Sequence, residues 1–196
     1  MLRLIISALL LVSIEASAKP LWCERLLARV GLETSAVTLR PMVQQDTQTI
    51  VEIGDHELVH TMMSSGTREA FREFLEGFPS RNPLQRRDYV IEFGGRLVGA
   101  VSFFSVREHF VPGRGEWLEI GYFVDVPYWG LGIGRRALEE AIEIAFGTLR
   151  AEGLLAFVRD SNTRSLSLLS QAGFSNFGAK EGVQILARRR MGPRLH

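Results

Sequence analysis

The chain holds 196 residues, 46% apolar and 23% charged, and its 23 basic and 22 acidic side chains leave a net charge of +1. These values fit one ordinary globular domain with a modest extension; they exclude a disordered chain, and the near-balance of charge speaks against a nucleic-acid binder. The single cysteine, Cys23, excludes an internal disulfide and suits a reducing, cytoplasmic setting.

The N-terminal segment argues the other way. Met1-Leu2-Arg3 is a short positive start, Leu4 to Ile14 an apolar run, and Ala16-Ser17-Ala18 an A-x-A triplet before Lys19-Pro20. Residues 1–18 therefore read as a secretory signal, or as a segment from a start assigned too far upstream. The run is too short to span a bilayer, so no stable membrane association is expected. Residues 19–36 read as an extension with a short helix ending near Gly31, followed by a domain over 37–190 and a tail over 191–196.

Within the domain, Val37 to Pro41 alternates and ends at proline, which predicts a first strand. Asp46 is expected to cap a helix from Thr47 that turns Ile50, Val51 and Ile53 inward. A second helix from about Thr67 to Phe78 puts Phe71, Phe74, Leu75 and Phe78 on one face, and Pro79 to Pro83 stops it. Asp88 to Phe93 and Arg96 to Phe104 flank Gly94-Gly95, a two-residue hairpin signal. Val106 to Gly115 is a polar loop. Trp117 to Val124 predicts a strand, and Ile133 to Leu149 an amphipathic helix with Leu138, Ile142, Ala145 and Leu149 on one face. Leu154 to Val158 is a strand, Asn162 to Ala172 a helix stopped by Gly173, and Phe174 to Phe177 pairs with Val183 to Ala187. Arg188-Arg189-Arg190 reads as the start of a solvated tail. This order makes an α+β fold, a mixed sheet flanked by helices.

The organising stretch joins the strand at Val124 to the helix at Ile133 through Gly130-Leu131-Gly132-Ile133-Gly134, followed by Arg135 and Arg136. The first amides of a helix lack internal partners and the helix dipole is positive there, so this turn suits an anion, most often a phosphate. A P-loop needs Gly-Lys-Ser/Thr where Gly134-Arg135-Arg136 stands. A dinucleotide fingerprint fits formally over Gly132 to Ala137, and would make a nicotinamide-dependent oxidoreductase. That fold, however, opens its domain with the motif and needs several further strand–helix units.

Trp129-Gly130-Leu131-Gly132-Ile133-Gly134 resembles the acetyl-CoA loop of the GCN5-related N-acetyltransferase (GNAT) superfamily, x-x-G-x-G/A after a strand. Trp129 stands where Gln or Arg usually opens the loop. With Glu119-Ile120-Gly121-Tyr122 and Pro127-Tyr128-Trp129-Gly130, this variation resembles the branch acetylating ribosomal-protein N-termini (RimJ/RimL type). Asn162-Thr163-Arg164-Ser165, then Leu168 to Phe174, resembles the family's N-x-x-S/A…G-F segment at the expected spacing. The resemblance covers about residues 37–190 and implies the acyl-CoA N-acyltransferase fold, with a central, mostly antiparallel mixed sheet.

It implies acetyl-CoA as co-substrate. Backbone amides of Leu131, Gly132, Ile133, Gly134 and Arg135 would hold the pyrophosphate, and free backbone groups of Phe123, Val124 and Val126 the pantetheine arm. Asn162 would bond that arm, cap its helix, or both. The tyrosine that many relatives carry seven positions after the motif asparagine is Leu169 here, so Ser165 is the substitute proton donor; otherwise it is a helix residue bonding to backbone. A neutral amine must attack the thioester, so a carboxylate base is useful. Glu119 is the candidate and Glu116 the reserve; the competing reading of Glu119 is a solvent-facing or salt-bridged strand carboxylate. His56 and His60, at i and i+4, can share a helix face but lack a third ligand, so no metal is expected.

The expected function is transfer of acetyl from acetyl-CoA to a primary amine, a protein N-terminus or a small molecule, by direct attack in a ternary complex. The acceptor groove would lie between the helices of residues 47–78 and the loop of 105–115. No nucleic-acid partner is expected, and a homodimer is compatible. The alternative is a non-catalytic acyl-CoA-binding module, to which the missing tyrosine lends weight.

Overall fold

The computed structural model describes residues 37–63, 67–77, 79, 82, 84–106 and 116–190. The expectations for 1–18, 19–36 and 191–196, and most of the 105–115 wall, lie outside them.

Seven strands form one sheet: β1 (Val37–Pro41), β2 (Arg86–Phe93), β3 (Arg96–Ser105), β4 (Trp117–Val124), β5 (Gly153–Arg159), β6 (Ser175–Lys180) and β7 (Val183–Arg189). Their spatial order is β1-β2-β3-β4-β5-β7-β6. Every neighbouring pair is antiparallel except β4 and β5, which run parallel. A parallel pair needs a crossover, and this one carries the longest of the described helices.

Alternation along the strands feeds two core layers. On one face Leu118, Ile120 and Val124 of β4 pack with Val98, Val101 and Phe103 of β3 beneath Ala137, Leu138 and Ala141 of the crossover helix. On the other, Phe123, Ala100 and Val90 pack against Ile50, Ile53, Val59, Phe71 and Leu75.

Three helices stand where two were expected: α1 (Thr47–Gly54), α2 (Glu57–Met62) and α3 (Arg68–Glu76). Gly54 is the reason α1 ends so close to α3. A Cβ there would lie 2.1 Å from Leu75 Cδ1, so only glycine admits the approach. His56 then starts α2, its Nδ1 accepting from the Leu58 N–H at 3.2 Å. It is a cap, not a helix-face partner of His60.

Asp46 does not cap α1 with its side chain. Its carboxylate accepts from Arg40 Nη1 (2.7 Å), Arg40 Nη2 (2.8 Å) and the Val43 N–H (2.8 Å), tying β1 to the turn before α1. Thr67 does cap α3, accepting from the Ala70 N–H at 3.2 Å.

The crossover helix α4 spans Ile133–Glu143 and is continued by a wider π turn over Ile144–Thr148, where one regular helix to Leu149 was expected. The Leu149 N–H reaches back five residues to the Ile144 carbonyl (2.9 Å), and Ala145 gives its own carbonyl to the Ala151 N–H (2.9 Å). The last helix, α5, is Thr163–Gln171.

The terminal hairpin is longer than its apolar residues suggest, because β7 pairs with β5 along its whole length, Gly153↔Arg189 to Arg159↔Val183. The arginine run is consequently held by the fold. Arg188 donates to the Ala172 carbonyl and lies 5.7 Å from the Phe146 ring centre; Arg189 covers Trp117 at 5.3 Å; Arg190 pairs with Glu152 at 3.1 Å.

Candidate active site: a slot through the sheet

The parallel β4–β5 ladder is short. It runs Trp117↔Gly153, Leu118↔Leu154, Glu119↔Leu155 and stops, although β4 continues to Val124 and β5 to Arg159. Beyond Glu119 the two strands present backbone to a gap instead of to each other. A cavity of about 310 Å³ occupies it, lined by Glu119 to Phe123 from β4 and Ala156 to Val158 from β5.

Because residues alternate across a strand, the slot has two ends. Phe123 belongs to the layer under α1–α3, so Glu119 and Gly121 face that side, with Met62, Met63, Phe71, Phe74 and Phe104 around them. Ile120 and Tyr122 face the other side, where Ser165 and Leu169 of α5 close the cavity.

Glu119 is largely buried, and that burial holds its carboxyl above the ordinary range. Among the described residues no cation pairs with it. Glu116 lies outside the cavity and pairs with Arg87 at 3.6 Å, so the reserve candidate is not at the slot.

Asn162 accepts from the Ser165 N–H at 3.1 Å, the N-cap expected of it, and donates through Nδ2 to the Met62 carbonyl at 3.1 Å. Arg159 Nε donates to the Met63 carbonyl. These two bonds draw the C-terminal end of α2 onto the β5–α5 corner and supply the slot's methionine wall. Ser165 Oγ lies 2.9 Å from the Tyr122 hydroxyl. Leu169, with no exposed surface, fills the place of the expected tyrosine.

The glycine loop sits at the end of β4. Gly130 (φ +79°) and Gly132 (φ +80°) are left-handed, and a Cβ on either would meet nothing within 4 Å, so backbone conformation and not crowding selects glycine. No side chain caps α4, so the amides of its first turn keep the unsatisfied state of a helix N-terminus. The space beside Gly134 is bounded by Val124 and Leu168 (3.8 and 3.7 Å from a Cβ placed there), which sets that turn against β4 and α5. Trp129 Nε1 donates to the Val124 carbonyl at 2.6 Å and fixes the loop to the strand.

Arg135 and Arg136 both bond Glu139 (2.9 and 3.2 Å) and are exposed. What the Arg135 position offers the loop is its backbone. Arg135 and Glu139 also line a hollow of about 190 Å³ with Leu168, Gln171 and Ala172, between α4 and α5. Of the residues singled out in the sequence, Glu119, Phe123, Asn162 and Ser165 meet at the slot. Val124, Val126 and Leu131 to Arg135 do not line it; they form the strand end and loop beyond it.

Uncapped helix amides beside a left-handed glycine turn, next to a gap between strands with unspent backbone, fit a pyrophosphate joined to an extended amide-bearing arm. A family model described as an acetyltransferase (GNAT) domain matches residues 36–175. The chain belongs to the GNAT acetyltransferase family. A Bacillus subtilis protein named as a candidate phosphinothricin acetyltransferase, YwnH, is 28% identical over 152 residues, 75% of this chain and 89% of that one.

Among solved structures, RimJ of Mycobacterium smegmatis in complex with CoA-disulfide has a TM-score of 0.61 at 22% identity, covering 78% of this chain and 81% of its own. Spermidine N-acetyltransferase of Vibrio cholerae, in complex with CoA and spermine, has a TM-score of 0.62 at 18% identity, covering 80% and 96%. This acetyltransferase is thus an acetyl-CoA-dependent enzyme with the expected α+β fold, which it shares with RimJ.

The sequence reading missed Tyr122. Its signal was parity: it lies an odd number of residues from Glu119 on the same strand, which places the two at opposite ends of the slot. It also missed α2, because no apolar period marks six residues.

Proposed function

We propose that the enzyme acetylates a primary amine borne on an apolar body, by direct attack within a ternary complex. One observation carries the reading: the slot left where the β4–β5 ladder stops has a buried carboxylate at one end, with no cation on it among the described residues, and a hydroxyl pair at the other. Acetyl-CoA supplies the activated acyl group and the thiolate leaving group.

Glu119 takes the proton that the amine loses as its nitrogen bonds to the acyl carbon. A carboxyl raised by burial is suited to that task near neutral pH. Ser165 at the other end gives a proton to sulfur as the C–S bond breaks. Amides of Leu131, Gly132, Ile133, Gly134 and Arg135 hold the pyrophosphate, and backbone of Phe123, Val124 and Val126, with Asn162, lies along the arm.

Among the described residues, Met62, Met63, Phe71, Phe74 and Phe104 line the cavity with Glu119 and Ser102, so they offer one charge and much apolar surface. A polyamine's second cation and an amino acid's carboxylate find no complement among these side chains.

The test is CoA release with a panel of amines. Phenethylamine-like acceptors should exceed spermidine and glutamate in kcat/KM, with a peptide N-terminus tested beside them. Glu119→Gln should lower kcat by roughly 100- to 10,000-fold while acetyl-CoA still raises the Tm. Full turnover in that variant removes Glu119 from the mechanism; a preference for spermidine overturns the acceptor class.

A further inference from the structure

The acid end of the slot holds two hydroxyls, not one. Tyr122 reaches it from β4 and Ser165 from the first turn of α5, and their oxygens are 2.9 Å apart. Both line the cavity. Ser165 is the only described side chain bonded to the Tyr122 hydroxyl. The rest of the tyrosine packs into the apolar layer beneath α4.

A serine hydroxyl has one proton and a free rotor, and it donates in a fixed direction only when its oxygen accepts from another group. The Ser165 backbone N–H is already committed to Asn162, so the serine's position is set while its rotor is not. Tyr122 is the group placed to set it.

We infer that Tyr122 is a positioning residue for thiol departure: it donates to Ser165 Oγ and so aims the serine O–H into the slot, toward the sulfur leaving the acyl carbon. The C–S bond breaks with its electron pair going to sulfur. The Ser165 proton passes to that sulfur, and the Tyr122 proton moves to the serine oxygen. The phenolate regains a proton from water once the thiol has gone, while Glu119 returns the amine's proton to water.

Burial raises the Tyr122 hydroxyl to about 12, so it is protonated and able to donate near neutral pH. The pair therefore does the work of the tyrosine that Leu169 replaces. The inference rests on the acetyl-transfer reading and adds a residue to it.

The experiment is a double-mutant cycle on Tyr122→Phe and Ser165→Ala in the full chain, with kcat, both KM values and the acetyl-CoA-induced Tm shift recorded. Tyr122→Phe removes one oxygen and keeps the ring. The expected loss in kcat is about 10- to 100-fold, below the full effect of a general acid, with both KM values and the Tm shift within about twofold of the parent. Ser165→Ala should fall at least as far, and the double variant no further than Ser165→Ala alone.

A Tyr122→Phe enzyme with parental kcat overturns the inference, as do multiplicative losses in the double variant. A loss confined to acetyl-CoA KM would mark Tyr122 as a structural link between β4 and α5 and overturn it equally. Should Tyr122→Phe fail to fold, a Ser165→Ala enzyme with parental kcat overturns it alone. A parent chain that turns over no amine is a different result, and it strikes the acetyl-transfer reading instead.

Discussion

Asn162 joins three parts of the site with one side chain, and two substitutions separate its roles. Its Oδ1 caps α5 at the Ser165 N–H and its Nδ2 holds the Met62 carbonyl, each at 3.1 Å. Losing an N-cap costs about 1 kcal/mol, and losing the second bond about another 1 kcal/mol. Asn162→Ala should therefore cost about 2 kcal/mol, which for a chain of this size is a fall in Tm of roughly 4–8 °C.

Asn162→Asp is the sharper variant. Aspartate caps as well as asparagine, and its charge at a helix N-terminus is favourable by roughly 0.3–1 kcal/mol. It has no donor for Met62, however, and sets an anion against that carbonyl. The Tm should stay within about 2–4 °C of the parent, while release of the α2 end raises the acceptor KM about fivefold, the equivalent of one bond of about 1 kcal/mol. Differential scanning fluorimetry and steady-state kinetics on the same preparations read both. An Asn162→Asp enzyme with parental acceptor KM would refute the claim that this bond shapes the acceptor end. An Asn162→Ala enzyme with parental Tm would refute the cap.

The other expectations concern the frame around the slot. A Cβ on Gly153 would lie 2.5–2.6 Å from three ring atoms of Trp117, itself 3% exposed, so Gly153→Ala should destabilise by about 1–3 kcal/mol through overpacking, read as a lower urea midpoint; an unchanged midpoint would mean the ladder yields there. Asp46 is held below the ordinary carboxyl range, chiefly by its hydrogen bonds from Arg40. That stability is present above the unfolded pKa and is lost as pH falls through the folded one. Asp46→Asn should cost about 2 kcal/mol near neutrality, below the range for a fully buried pair because Arg40 is partly exposed, with the gap closing in acid; a gap constant with pH would refute the ion-pair account. Glu119 has the opposite sign. Its raised carboxyl means the folded state binds more protons than the unfolded one between the two pKa values, so stability falls as pH rises through that window. Glu119→Gln should thus be the more stable protein at neutral and alkaline pH and lose that advantage below the unfolded pKa; equal Tm values at all pH would show that the carboxylate is not desolvated.

Much of this architecture is carried by local chemistry. The Gly94-Gly95 turn, with φ of +58° and +77°, needs only two adjacent glycines to close the β2–β3 hairpin. The left-handed glycines before α4 make an amide cradle wherever a strand precedes them, and Asn162 caps α5 because Ser165 follows three residues later. Such features depend on residues a turn apart, so spacing alone specifies them. The end of α1 at Gly54, by contrast, answers to Leu75, and the carboxylate of Asp46 answers to Arg40; both partners arrive from other elements. Glu119 had a role in the sequence but no environment. Its burial and its separation from the Tyr122–Ser165 pair exist only because β4 and β5 stop pairing at Glu119. Which groups lie along the strand, and in what alternation, follows from residue order alone. The gap that turns that alternation into two ends of one slot is a property of two strands far apart in the chain, diverging under helices packed on both faces of the sheet.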